Sequence, residues 1–292
     1  MSSRNYPRLQ IEEFGRKLIE TGDLDPLYIA LYKSELPDDQ RARWLLGYWC
    51  LYNAGLASWL SEQEGDAFWD ALFLAADNTT PSPIGGRWPR GAERRHWRGG
   101  QAKASALSLQ DTWSRPERLV EWLAYGDANQ PEPVPDTVQF SDVSKRVQTL
   151  RGFGPWISFK VGDMLDRLDI VNVCFEQAEV FMFDDPRKAA LMLTRQRLGL
   201  PENAKLKDET AAIAQVVAYL KEQFKELYAA PMLDRPIDLQ EVETVLCKWK
   251  SHCNGHYPVG NDTIEINEGM EPWAAVSETA RLVKSNMPKW RD

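Results

Sequence analysis

Apolar residues recur at helical spacing through most of the chain, and no segment shows the strict alternation of a half-buried strand. Residues 8–33 predict two short helices. The first carries Leu9, Phe14, Leu18 and Ile19. Asp25-Pro26 opens the second, which places Leu27, Tyr28 and Leu31 on one face. Pro37-Asp38-Asp39 begins a longer helix. Its apolar residues Trp44, Leu45, Tyr48, Trp49, Leu51, Tyr52 and Leu56 cover too wide an arc for a single stripe, which predicts a central, mostly buried helix. Further helices are predicted over 65–76, 101–126, 185–198, 208–228, 238–251 and about 271–285. Gly126 and Gly199 mark two of their ends. Asp169 to Cys174 reads as a short extended segment, and 127–137 as a Pro-rich surface connection. The fold class is all-α. The chain is expected to form one unit over 1–292, divisible into two lobes: about 1–126 with the C-terminal helices, and about 138–230.

The most informative stretch is 141–168. Ser141 is a candidate N-cap, and Val143, Val147 and Leu150 share a helical face. Arg151-Gly152-Phe153-Gly154-Pro155 follows. Two glycines two apart suit a tight reversal with positive φ, and Pro155 suits a first helical position. A second helix carries Ile157, Val161, Met164, Leu165 and Leu168. Backbone N–H groups at the start of that helix can seat a phosphate oxygen. Arg151, Gly152, Phe153, Gly154 and Trp156 are therefore candidate nucleic-acid contacts. An ordinary αα-hairpin with a glycine cap would show the same pattern.

Charge alters this picture locally. The net charge of −8 excludes a global basic field for nucleic acid, so any such site must be a patch. Residues 85–103 (GGRWPRGAERRHWRGGQAK) supply one, with Arg87, Arg90, Arg94, Arg95, Arg98 and Lys103 against Glu93 alone. Guanidinium groups match phosphate oxygens in bidentate fashion, and the glycines allow close backbone approach. Glu93 and His96 are titratable groups inside this cluster. A solvated loop held by ion pairs is the plainer alternative. Among the 12 Trp, Trp88, Trp97 and Trp156 lie beside Gly, Arg or Pro, where stacking on a base is conceivable. No apolar run approaches the length of a membrane span. The N-terminus lacks the apolar core of a signal peptide, and the four scattered Cys fit a reduced compartment.

Two further groups could carry chemistry. Residues 247–262 (CKWKSHCNGHYPVGND) hold two of the three His and two Cys, but without the close cysteine pair of common zinc sites. No metal site is assigned. Lys248, Lys250, His252, His256 and Tyr257 read instead as donors to an anion, with a capped helix end as the alternative. Lys160 and Asp163 are three apart and share a face, as an ion pair or as catalytic groups.

Taken together, ERRHWRG at 93–99, GFGPWISFKVGDML at 152–165 and CKWKSHCNGHYPVG at 247–260 resemble the phage α-glutamyl/putrescinyl thymine pyrophosphorylase family, also described as amino acid:DNA transferases. The resemblance covers roughly 10–265, including DPLYIAL and RWLLGYWCLYNAG. It implies an elaborated helix-hairpin-helix, DNA glycosylase-like fold. It implies transfer of an amine, an amino acid or polyamine, onto a pyrophosphate-activated 5-hydroxymethyluracil flipped out of double-stranded phage DNA. Within it, Glu93, His96, Asp163 and His256 are candidate bases. Arg87, Arg94, Arg95, Arg98, Lys160, Lys248, His252 and Tyr257 are candidate contacts to pyrophosphate or substrate. Mg²⁺ is compatible with pyrophosphate, although no carboxylate pair stands out to hold it. The expected setting is a monomer in the host cytoplasm, away from membrane. Glycosylases of this fold carry a downstream aspartate in a Val-Asp-Thr-His-like context. This chain has Val171-Asn172-Val173-Cys174 there, which argues against base excision by that route. A glycosylase or lyase, or a non-catalytic DNA-binding protein, is the alternative.

Overall fold

The computed structural model describes residues 6–91, 97, 99–126, 136–175 and 183–290. In chain order these form α1 (Ile11–Thr21), α2 (Pro26–Lys33), α3 (Asp38–Leu51), α4 (Ala54–Ser61), α5 (Asp66–Asp77), α6 (Gly99–Thr112) and α7 (Pro116–Tyr125). Then come β1 (Thr137–Gln139), α8 (Phe140–Thr149), α9 (Pro155–Arg167), β2 (Asn172–Cys174), α10 (Asp184–Arg197), α11 (Glu209–Gln223), α12 (Leu239–Cys253), α13 (Asn261–Ala274) and α14 (Glu278–Ser285). The fold is all-α. The two strands make only a short parallel clip, with Thr137, Val138 and Gln139 opposite Asn172, Val173 and Cys174.

Contacts group the chain into two units. The first comprises Met1–Pro26, Phe175–Ile264 and Pro288–Asp292, and the second Leu27–Cys174 and Glu265–Met287. These differ from the lobes suggested by the sequence, because α8 and α9 group with α2–α7 while α10–α12 group with α1. In the first unit, α12 packs on α10, α1 and α11 around buried Phe14, Leu18, Ile213, Leu220, Val242 and Leu246. A capping box fixes the start of α12: the Asp238 and Glu241 side chains satisfy each other's backbone N–H groups. In the second unit α3 packs on α4 and α7, α5 on α6, α8 on α9, and α14 on α4. The broad apolar surface predicted for the third helix is real: Trp44, Leu45, Trp49 and Leu51 are buried.

Local chemistry shortens the longer predicted helices. Tyr52 turns left-handed at φ 52°, and the Asn53 side chain accepts the Leu56 N–H at 2.9 Å, so α4 starts afresh. The 101–126 segment breaks at 113–115, and Pro116 opens α7. The N-cap of α8 is Gln139 rather than Ser141, because β1 runs directly into the helix. The predicted 271–285 helix is the end of α13 plus α14, the latter capped by Ser277 accepting the Ala280 N–H.

Candidate functional site

The turn between α8 and α9 is built on one constrained glycine. Gly152 has φ 81°, whereas Gly154, the N-cap of α9, has φ −116° and ψ −173°. The expectation of two left-handed glycines thus holds only for Gly152. A Cβ at Gly152 would lie 2.7 Å from Ser105 Oγ on α6 and 2.9 Å from Trp97 Nε1. One at Gly154 would meet nothing within 4 Å. Trp97 is 0% exposed and meets Phe153 edge-on, with ring centroids 5.9 Å apart. Phe153 is itself buried at 5% exposure. It therefore fastens the turn to the protein and cannot stack on a base, contrary to its assignment as a nucleic-acid contact. Arg151 is exposed, and Trp156 is half-buried, edge-on to Tyr52 at 5.1 Å. Gln101, Ser105, Arg151, Gly152, Phe153 and Gly154 line a hollow of about 320 Å³ beside the turn.

Of the Arg-rich stretch, Glu93, Arg94, Arg95, His96 and Arg98 lie outside the described residues. Arg87 is exposed. Arg90 is structural: its Nη2 donates to the Ala75 and Ala76 carbonyls at 3.0 and 3.3 Å, at the end of α5, and its Nη1 donates to the Trp97 carbonyl. Lys103 pairs with Asp77 at 3.1 Å. Trp88 is buried and its indole N–H donates to the Thr80 carbonyl, so neither it nor Trp97 is a stacking platform. Trp156 alone of the three retains an accessible face.

Lys160 and Asp163 do meet on α9. Asp163 is 0% exposed, and its Oδ2 accepts the Tyr28 hydroxyl at 2.7 Å and lies 3.6 Å from Lys160 Nζ. Arg167 Nη1 is 3.9 Å from Oδ1, and its guanidinium lies 4.8 Å from the Tyr28 ring centroid. The carboxylate is the buried anchor of a cationic pair, and the Lys160 side chain, 14% exposed, is the end that reaches outward. A general base must touch the proton that it takes, and this carboxylate is turned away from solvent.

The 247–262 stretch is organised by a residue not singled out in the sequence. Asp23, 0% exposed, accepts the Gly260 N–H at 2.7 Å, the Thr263 N–H at 2.9 Å, the Thr263 hydroxyl at 2.8 Å and the Tyr257 hydroxyl at 3.3 Å. Burial pushes its carboxyl up from the ordinary value, against the pull of Lys248 and the Thr263 N–H. Lys248 Nζ donates to the Asp23 and Leu24 carbonyls at 2.8 and 2.6 Å and pairs with Asp262 at 2.7 Å. Three acceptors fill an ammonium's three donors. His252 is also committed. Its Nε2 accepts the Leu9 N–H at 2.9 Å, so Nδ1 carries the proton and donates to the Tyr257 carbonyl at 2.8 Å. Burial holds its pKa below the usual 6.5. Burial, then Asp262 and Asp23, pushes the Tyr257 phenol well above 10.0. Lys250 pairs with Asp185. The anion wall read from the sequence is thus a structural network, and Lys248, His252 and Tyr257 have no donor to offer a substrate. His256 is exposed, and its ring meets no partner among the described residues. Among those residues no three His, Cys, Asp or Glu converge as a metal site.

Ser105, Tyr28 and Asp23 thus matter without having been singled out. Isolated polar groups, Ser105 and Tyr28 on helices and Asp23 in the loop between α1 and α2, give no signal in the sequence.

A family model described as amino acid:DNA transferase matches residues 19–256. A glycinyltransferase of Pseudomonas phage PaMx11 is 50% identical over 299 residues, covering 98% of this chain and 99% of that protein. A putrescinyltransferase of Delftia phage PhiW-14 is 28% identical over 274 residues, covering 92% of this chain and 80% of that protein.

Proposed function

The chain belongs to the amino acid:DNA transferase family and modifies DNA by transferring an amino acid or amine, and from that premise we propose that glycine is the amine and a pyrophosphate-activated 5-hydroxymethyluracil in duplex DNA the acceptor. Glycine is favoured over a polyamine by the 50% identity to the glycinyltransferase against 28% to the putrescinyltransferase. The amine nitrogen attacks the 5-methylene carbon. The carbon–oxygen bond breaks, the electron pair leaves with pyrophosphate, and the amine proton passes to a base. Glu93, His96 and His256 are the candidates for that base.

Pyrophosphate leaves as a polyanion, so cations aimed at it lower the barrier more than any other feature within reach of a protein. Arg87, Arg94, Arg95 and Arg98 supply them, with Lys160 held outward by Asp163, Tyr28 and Arg167. Mg²⁺ would travel with the pyrophosphate. Arg151, the backbone at Gly152 and Gly154, and Trp156 grip the DNA beside a flipped base, in the manner of a helix-hairpin-helix. The observation supporting this division is the Trp97–Gly152–Phe153 contact, which ties residue 97 of the Arg-rich stretch to the glycine turn. The work is done in the cytoplasm of the phage's host, by a monomer.

The test is product analysis. Duplex bearing the activated base is incubated with the protein and glycine, then digested to nucleosides. The expected outcome is a glycine–thymidine adduct with one pyrophosphate released per adduct. Abasic sites would replace this reading with a glycosylase; binding without chemistry would replace it with an accessory DNA-binding protein.

A further inference from the structure

The hollow beside the glycine turn has a second wall that the turn does not supply. Gln101, in the first turn of α6, and Ser105, one turn further on, face Arg151, Gly152 and Gly154 across about 320 Å³. The first turn of α6 and the N-cap of α9 therefore border one space. Each helix begins with N–H groups that have no intrahelical acceptor, and each N-terminus carries a partial positive charge. Ser105 provides the independent observation. Its side chain is 1% exposed and lines the hollow, yet its hydroxyl meets no donor or acceptor among the described residues. Helical serines commonly return their hydroxyl to the carbonyl one turn back, as Ser58 and Ser158 do here. Ser105 does not. Its Oγ comes so close to Gly152 that a Cβ there would be 2.7 Å away, so α6 approaches the turn as far as a residue without a side chain permits.

We propose that Ser105 on α6 is a DNA-contacting residue: its hydroxyl donates to a backbone phosphodiester oxygen held between the starts of α6 and α9, with Arg151 at the rim. This rests on the reading that the glycine turn grips DNA, and adds to it a wall from a helix more than forty residues upstream. A buried hydroxyl in the second turn of α6, on the hollow that Gln101 and the N-cap of α9 also line, suits an anion that sheds its water on arrival. The nearby Arg151 selects for charge, and the backbone of the turn selects for a ligand without sequence.

The experiment compares plain-duplex affinity by fluorescence anisotropy, as a function of salt, for the intact protein and its Ser105→Ala and Arg151→Ala variants, with thermal unfolding of each. Ser105→Ala should weaken binding about 10- to 100-fold, the loss of a hydrogen bond to a charged group. It should keep the salt slope, because the hydroxyl is neutral. It should leave unfolding unchanged, because the hydroxyl has no partner among the described residues. Arg151→Ala should weaken binding and lower the slope by about 0.9. Weakening by Arg151→Ala alone would leave the grip standing and overturn the role of Ser105. Weakening by neither would overturn both. A fall in melting temperature for Ser105→Ala would make the hydroxyl structural. A raised KM for glycine with unchanged duplex affinity would assign the seat to the amino acid carboxylate. Either result sinks the proposal.

Discussion

Gly152 and Gly154 look equivalent in sequence, and the structure makes them opposites. Alanine at Gly152 must adopt φ 81°, a left-handed conformation that costs an L-residue about 1–2 kcal/mol. Its Cβ must also displace Ser105 Oγ or Trp97 Nε1, both closer than 3.0 Å, and overpacking of this kind adds about 1–3 kcal/mol. The sum is about 2–5 kcal/mol, or about 5–15 °C in the melting temperature of a unit this size. Alanine at Gly154 has an ordinary φ of −116° and open space around it. It should change stability by less than about 1 kcal/mol, because the gain from a less flexible unfolded chain offsets alanine's poorer fit at the N-cap. Thermal unfolding followed by tryptophan fluorescence reads both, since Trp97 reports directly on this junction. Equal effects of the two substitutions, or Gly152→Ala unfolding at the unmodified protein's temperature, would refute the geometry from which the site has been argued.

Other expectations can be checked with standard variants. Asp23→Ala should cost about 3–5 kcal/mol by urea unfolding of the first unit, because it leaves the Gly260, Thr263 and Tyr257 donors around an empty centre. Acidification should act through His252. Its folded pKa is depressed, so the neutral ring's contribution is complete above the usual 6.5 and is lost as pH falls through the folded value. The unmodified first unit should lose stability below about pH 6.5, and a His252→Gln variant, weaker at pH 8, should lack that drop. Trp156→Ala should reduce duplex binding with little change in stability, whereas Trp88→Ala should cost about 3–5 kcal/mol of folding and spare binding by the folded fraction. Arg94→Ala or Arg95→Ala should cut turnover on the activated base far more than plain-duplex affinity, in single-turnover and anisotropy assays.

Periodicity was enough to read the helical class and the sequence of helix, glycine turn and helix at 140–167, because apolar faces and a proline at a first helical position are local signals. Helix breaks at Tyr52 and at 113–115 were hidden. A left-handed tyrosine is held by its surroundings, and the proline that restarts α7 lay inside an otherwise continuous pattern. The site was legible as residue types and not as roles. Lys248, His252 and Tyr257 have the chemistry of an anion site, and only partners more than two hundred residues away in sequence, Asp23 for Lys248 and Tyr257 and the Leu9 N–H for His252, turn them inward. Phe153 and Trp97 likewise looked like stacking surfaces because sequence cannot show that they pack on each other. Ser105 was invisible for the converse reason, as a small polar residue on an alanine-rich helix.

The central claim is displacement of pyrophosphate from carbon by an amine. Isotope tracing on duplex carrying the activated base with ¹⁸O in the bridging position, supplied with ¹⁵N-glycine, tests it most directly. Amine displacement at carbon places ¹⁵N in the recovered nucleoside and ¹⁸O in the released pyrophosphate. Retention of ¹⁸O in the nucleoside, or release of free base without ¹⁵N incorporation, would contradict it.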